Sequence, residues 1–139
     1  MLIKQISVFL ENRKGRLSEI TDILAKNDIN IRALSIADSS NFGILRLIVN
    51  NTHKAEKALK ENGFTVSVNS MVSVSLPDSP GGLSDVLKVL SSGDLQIDYM
   101  YAFISHDPDK AYVLLRIEED FKAQKLLQDA GYEGLETVQ

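Results

Sequence analysis

Gly15 and Gly81 lie in two stretches of one plan, "NRKGRL" (residues 12–17) and "DSPGGL" (residues 78–83). Each stretch has a polar turn former, a glycine and then the apolar start of a helix. The chemistry on offer is electrostatic. Glycine takes positive φ and lets another group come close to the backbone. The helix that follows carries unpaired N–H groups and a partial positive charge at its start, a seat for an anion such as an α-carboxylate. Asn12 and Asp78, just upstream, can accept hydrogen bonds from an ammonium group. Donors for a carboxylate beside an acceptor for an ammonium suit a zwitterion. Each contact at a helix terminus contributes roughly 0.3–1 kcal/mol when exposed and about 2 when partly buried. The same residues also suit ordinary capping and turn chemistry, because any strand-to-helix turn can use Gly, Pro, Asp and Ser.

Other chemistry finds little support. His53 and His106 are the only histidines, and neither stands in a set of metal ligands. "HDPDK" (106–110) reads as a hairpin turn, since a calcium loop needs more oxygen ligands at regular spacing. The chain has no cysteine, which removes disulfides, zinc thiolates and thiol nucleophiles together. No phosphate-binding or dinucleotide-binding glycine motif occurs, and no serine sits in a nucleophile elbow. The expectation is therefore no catalytic residue, no cofactor and no metal.

The 139 residues carry 15 basic and 19 acidic side chains, for a formal charge of −4. No dense Lys/Arg cluster is present, so a nucleic-acid partner is not expected. No apolar run approaches the roughly 18–20 residues of a membrane span. "MLIKQISVFL" alternates polar and apolar residues as a strand does, and has none of the parts of a signal peptide. These features predict a soluble, cytoplasmic protein with no membrane partner. The length fits one average domain or two small ones.

Two copies of one unit account for the chain. A shift of 66 pairs Ser7, Val8 and Leu10 with Ser73, Val74 and Leu76, and Leu24, Asp28 and Ile31 with Leu90, Asp94 and Ile97. Beyond the next hairpin the shift becomes 68, pairing Lys54, Ala55, Leu59 and Gly63 with Lys122, Ala123, Leu127 and Gly131. Two residues added in the second copy's turn explain the change. Each copy reads strand–helix–strand–strand–helix–strand, the ferredoxin-like α+β plan of an antiparallel sheet with helices on one face. Leu17, Ile20 and Leu24 predict a helix over 16–27, and Thr52 is the expected N-cap of the next. Residues 64–76 contain no Gly or Pro. They read either as one long strand or as two strands broken near Asn69-Ser70. The expected domains are 1–69 and 70–139. A unit this small buries only about 60% of its unfolded surface, which gives a physical reason for a second copy.

The sequence resembles the ACT domain family, regulatory modules attached to many enzymes of amino-acid metabolism, as two tandem copies over nearly the whole chain. Members often read Asp or Asn, two residues, Gly, one residue, Leu at the first loop, frequently with Pro before Gly. Residues 78–83 match fully, and residues 12–17 match except that Lys14 stands in place of Pro. The family's Asn-Ile at the start of strand two is present as Asn30-Ile31, with Gln96-Ile97 in copy two. The resemblance implies a ligand bound at a domain–domain interface, between the first loop of one domain and the second strand of a neighbour. Asn12, Gly15, Arg16 and Leu17 would line one site, and Asp78, Pro80, Gly81, Gly82 and Leu83 the other. Asn30, Ile31 and Gln96 would add contacts from the second strands.

The second strands differ. Tyr99, Tyr101 and Phe103 stand where copy one has Ala33, Ser35 and Ala37. Two readings stay open: complementary packing, or a pocket wall for a ligand with an aromatic or imidazole side chain. RNA-recognition domains share this element order but stack bases on aromatic and basic middle strands. "FGILRLIV" and "AYVLLRIE" are mainly aliphatic. The functional expectation is a non-catalytic sensor of a free amino acid, forming a homodimer by edge pairing of exposed second strands or by face packing and acting on a separate metabolic enzyme. A ligand-independent interaction module or regulatory subunit is the alternative.

Overall fold

The computed structural model describes residues 1–38, 41–103 and 106–135. Along the chain it forms β1 (Leu2–Glu11), α1 (Arg16–Lys26), β2 (Ile31–Asp38), β3 (Phe42–Val49) and α2 (Thr52–Glu61). There follow β4 (Thr65–Pro77), α3 (Gly82–Ser92), β5 (Tyr99–Phe103), β6 (Lys110–Arg116) and α4 (Asp120–Asp129). Two compact units result. Lys4–Asn69 make one, and Met1–Ile3 join the described residues from Ser70 to Leu135 in the other. The α+β class with two βαββαβ units is the observed architecture.

In the first unit, alternation along β1 sends Ile6, Val8 and Leu10 to one face, where all three are buried. The strand pairs antiparallel with β3, from Ile6 opposite Leu47 to Glu11 opposite Phe42. β2 lies on the other side of β3, with Leu34 opposite Leu47. Ile20, Ile23 and Leu24 of α1, with Ala55, Ala58 and Leu59 of α2, cover that face and form one core with it. Spacings of three and four along each helix put these residues on one stripe.

The second unit repeats the pattern in register. β4 pairs with β6, Val72 opposite Leu115 through Pro77 opposite Lys110, and β5 pairs with β6 beyond it. Val72, Val74, Leu76, Val113 and Leu115 meet Val86 and Leu90 of α3 and Ala123 and Leu127 of α4. The backbone repeats as closely as the core. Gly15 and Gly81 have φ of 84° and 88°, Asp28 and Asp94 of 55° and 56°, Gly63 and Gly131 of 85° and 89°. Left-handed φ at the non-glycine pair is uncommon, and Asp tolerates it better than most residues.

Several expectations change in detail. β4 runs as one strand of 13 residues through Asn69 and Ser70, the first of the two readings. The cap of α2 is Asn51, whose side chain accepts from the Lys54 N–H, and Thr52 is already helical. Leu17 is not part of the buried stripe of α1; it is exposed, and Ile23 takes the place. Among the described residues, the closing segment of the second copy pairs by a bridge between Ser75 and Glu133, continued by the Leu135 N–H donating to Ser73 Oγ at 2.8 Å. In the second hairpin the Asp109 N–H donates to Asp107 Oδ1 at 2.9 Å, the turn chemistry read from "HDPDK". The sequence reads Ser39-Ser40-Asn41 as the first hairpin turn, of which Ser39 and Ser40 lie outside the described residues. Among the described residues no helix is long and apolar enough to cross a membrane.

Candidate functional site

Both glycine turns are built on one hydrogen-bond skeleton. In the second unit the Asp78 N–H donates to the Asp109 carbonyl at 3.0 Å and the Ser79 N–H to that of Pro77 at 2.9 Å. Gly82 N–H then donates to the Ser79 carbonyl at 3.1 Å, and Asp85 N–H to that of Gly81 at 3.0 Å. The first unit makes the same four bonds. Asn12, Arg13, Arg16 and Glu19 donate to Asn41, Glu11, Arg13 and Gly15 at 3.0, 2.8, 3.5 and 2.9 Å. Gly15 and Gly81 are the N-caps of α1 and α3, and no side chain caps either helix. A Cβ placed on either glycine would have nothing within 4 Å. The glycine at each helix start therefore borders open space, and with no side-chain cap the later first-turn amides are the ones left for an anion, since the N–H of Arg16 or Gly82 is held within its own turn.

The flanking residues divide by what holds them. Asn12, Asp78 and Pro80 are exposed beside their turns. Leu17 and Leu83, the second residues of α1 and α3, are both exposed. Gly82 has a different reason for its type. A Cβ there would collide with the Pro77 carbonyl oxygen and lie 3.3 Å from Leu76 Cδ1, so glycine lets α3 begin hard against the end of β4. Arg16, its counterpart, is turned into its own unit. Its guanidinium lies 5.1 Å from the Phe64 ring centroid and pairs with Glu19 at 3.1 Å and Glu11 at 3.9 Å.

The residues at the second-strand starts are not brought to the turns of their own unit. Asp78 bonds to Asp109, beside the first residue of β6, whereas Asp98 N–H donates to Arg116, the last. Gln96 lies just beyond that far end. Seven extended residues separate the two places, about 20 Å. Asn30 stands likewise at the far end of β3, its N–H on Asn50 Oδ1 at 3.0 Å and its carbonyl accepting from the Asn50 N–H at 3.1 Å; Ile31 follows it as the first, half-buried residue of β2. Gln96 shares a cleft of about 350 Å³ with Asp94, Asp98, Glu118 and Glu119. Among the described residues no group of His, Cys, Asp or Glu is placed to hold a metal ion.

Tyr99, Tyr101 and Phe103 lie half-buried on one face of β5, opposite Arg116, Leu114 and Tyr112. The rings of Phe103 and Tyr112 meet edge to face at 6.3 Å. Two residues of the second unit, Lys110 and Tyr132, line a further cleft that the motif reading did not reach. The signal for them was present in the differences between the copies, Phe42 against Lys110 and Phe64 against Tyr132.

Comparison with known proteins agrees with this architecture. Residues 1–133 match the family described as an ACT domain pair. A solved protein from Bacteroides thetaiotaomicron is 44% identical, with a TM-score of 0.91 over 97% of this chain and 92% of that one. The fold is also that of the regulatory subunit of aspartate kinase from Thermus thermophilus, in its ligand-free form, at 15% identity and a TM-score of 0.66. That likeness covers 94% of this chain and 95% of the other. The same subunit from Thermus flavus gives 15% identity and a TM-score of 0.63 over the same shares. No curated protein is similar enough to match.

Proposed function

This chain belongs to the ACT domain pair family, and on that premise we propose that it is a non-catalytic regulatory protein that binds a free amino acid at its glycine turns. The observation that carries the proposal is the uncapped start of α3 on Gly81, open to solvent, with Asp78 beside it. The ligand's carboxylate takes the first-turn amides that follow Gly82, whose own N–H is held by the Ser79 carbonyl, and its ammonium the Asp78 carboxylate. Asn12 and the start of α1 offer the same pair of contacts in the first unit. Leu17 and Leu83 supply apolar surface next to each seat. Gln96 and Asn30 lie too far from their own turns to help, so any contact from them goes to a neighbouring domain.

Occupancy regulates something only if the two states of the protein differ in affinity for the ligand. In this reading the regulated partner is a separate enzyme of amino-acid metabolism. The aspartate kinase subunits of like fold are consistent with that arrangement. The place of action is the cytoplasm, and the assembly is a homodimer.

A thermal-shift panel of the common amino acids tests the reading. Ligand at 100 times its dissociation constant adds about 2.7 kcal/mol, and each kcal/mol raises the melting temperature of a protein of this size by roughly 2–8 °C. A shift with one amino acid, reduced by Asp78→Asn, is the expected result. A second reading, ligand-independent binding of a protein partner, draws on exposed Leu34 and Ile36 along the edge strand β2. No shift at millimolar concentration of any amino acid would favour it.

A further inference from the structure

The two copies differ at a place where the first packs its own side chains together. In the first unit, Arg16 lies over Phe64 and reaches Glu11, while the rings of Phe9 and Phe42 pack at 5.1 Å. The repeat places Gly82 for Arg16, Pro77 for Glu11, Ser75 for Phe9 and Lys110 for Phe42. An arginine and two aromatic rings are thus lost from the second unit, while an aromatic ring, Tyr132, is kept in the place of Phe64. The close approach of Gly82 to the Pro77 carbonyl keeps any side chain from that position out of the gap. A cleft of about 390 Å³ remains, lined by Ser75, Pro77, Asp109, Lys110, Tyr132 and Glu133 among others. None of residues 78–83 lines it.

We propose that this cleft is a second ligand site, distinct from the Gly81 turn, and that it takes a basic amino acid whose cationic side chain lies against Tyr132 as Arg16 lies against Phe64. The first unit shows the chemistry the space accepts: a flat cation over a ring with carboxylates at its edge. The charges of the lining complement such a guest. Asp109 and Glu133 present two carboxylates and Lys110 one ammonium, against the two cations and one carboxylate of arginine. A volume of a few hundred cubic ångströms is in the range of small-molecule sites.

The test is an amide-resolved NMR titration of the full chain with L-arginine, with L-citrulline, whose side chain has nearly the same shape but no charge, as the control. Arginine should shift the amides of Lys110, Gly131, Tyr132 and Glu133 saturably, and citrulline should bind at least about tenfold more weakly. Glu133→Gln changes only an exposed side chain, and its backbone bridge to Ser75 is kept; it should weaken arginine binding about tenfold. Tyr132→Leu should do the same, and Tyr132→Phe should not. No saturable shift by about 10 mM arginine, equal binding of citrulline, or full affinity in Glu133→Gln would overturn the proposal. Shifts confined to residues 78–83 would overturn it too, while leaving the reading of the glycine turn intact. Loss of amino-acid binding at that turn would not affect the cleft.

Discussion

The carbonyl of Met1 accepts two hydrogen bonds from Ser73, one from its N–H and one from its Oγ, both at 2.8 Å. The same Oγ accepts the Leu135 N–H at 2.8 Å. One fully buried hydroxyl therefore ties the N-terminus, β4 and the C-terminal segment of the second unit together. Ser73→Ala leaves the Leu135 N–H without its acceptor. The expected loss is about 1–3 kcal/mol, read from the urea midpoint at unchanged slope. A loss below about 0.5 kcal/mol would mean water replaces the hydroxyl at no cost.

Gly81 and Gly82 are adjacent but exist for different reasons, so alanine separates them. Gly81→Ala adds a methyl into open space at φ 88° and costs about 1–2 kcal/mol in backbone strain. Gly82→Ala drives a methyl into the Pro77 carbonyl and forces α3 off the end of β4, costing about 1–3 kcal/mol or more. Gly82→Ala should melt at the lower temperature. Gly81→Ala, folded but with its methyl beside the helix start, is the variant in which amino-acid binding should weaken.

Arg16→Met keeps length and apolar contact with Phe64 while removing the charge. The loss should be about 0.5–1.5 kcal/mol, from a partly exposed ion pair and a ring contact. Because the ion pair with Glu19 is screened by salt, the gap between the proteins should narrow at about 1 M salt. Urea melts at low and high salt decide it; an equal gap in both would assign the stabilisation to the ring contact alone.

β2 carries Leu34 and Ile36 exposed along the outer side of the first unit. If the homodimer forms through this edge, Leu34→Lys with Ile36→Lys should make the protein monomeric, since edge lysines block strand pairing. Light scattering on eluted protein measures the mass directly. A dimer that survives both substitutions would place the interface elsewhere.

Much of the fold was legible because its signals are local. A glycine at a helix start, an Asp at a helix end, an alternating strand and a three–four apolar stripe each act over a few residues, and each recurs at the same shift. Gly15 with Gly81 and Asp28 with Asp94 could be matched on paper, and their backbone angles agree within a few degrees. The glycine turns were legible for the same reason, down to a shared hydrogen-bond skeleton. The cap of α2 was misplaced by one residue because Asn51 and Thr52 are both good capping types, and only the chain's entry angle chooses between them.

The remainder was decided by contacts between residues far apart in sequence. Nothing near Met1 announces that it packs with Val72 and Leu115, and nothing near Gln96 says that a strand's length separates it from Gly81. Gly82 reads as half of a paired-glycine motif until the Pro77 carbonyl is seen beside it. The sequence by itself determined the repeat, the element order and the two turns, because backbone preference and apolar periodicity are short-range properties. Tertiary structure alone decided which glycine faces solvent, which strand end each polar residue occupies, and that the space Arg16 fills in one copy stands open in the other. Those depend on strand pairing and packing, where one register brings together side chains that no local rule connects.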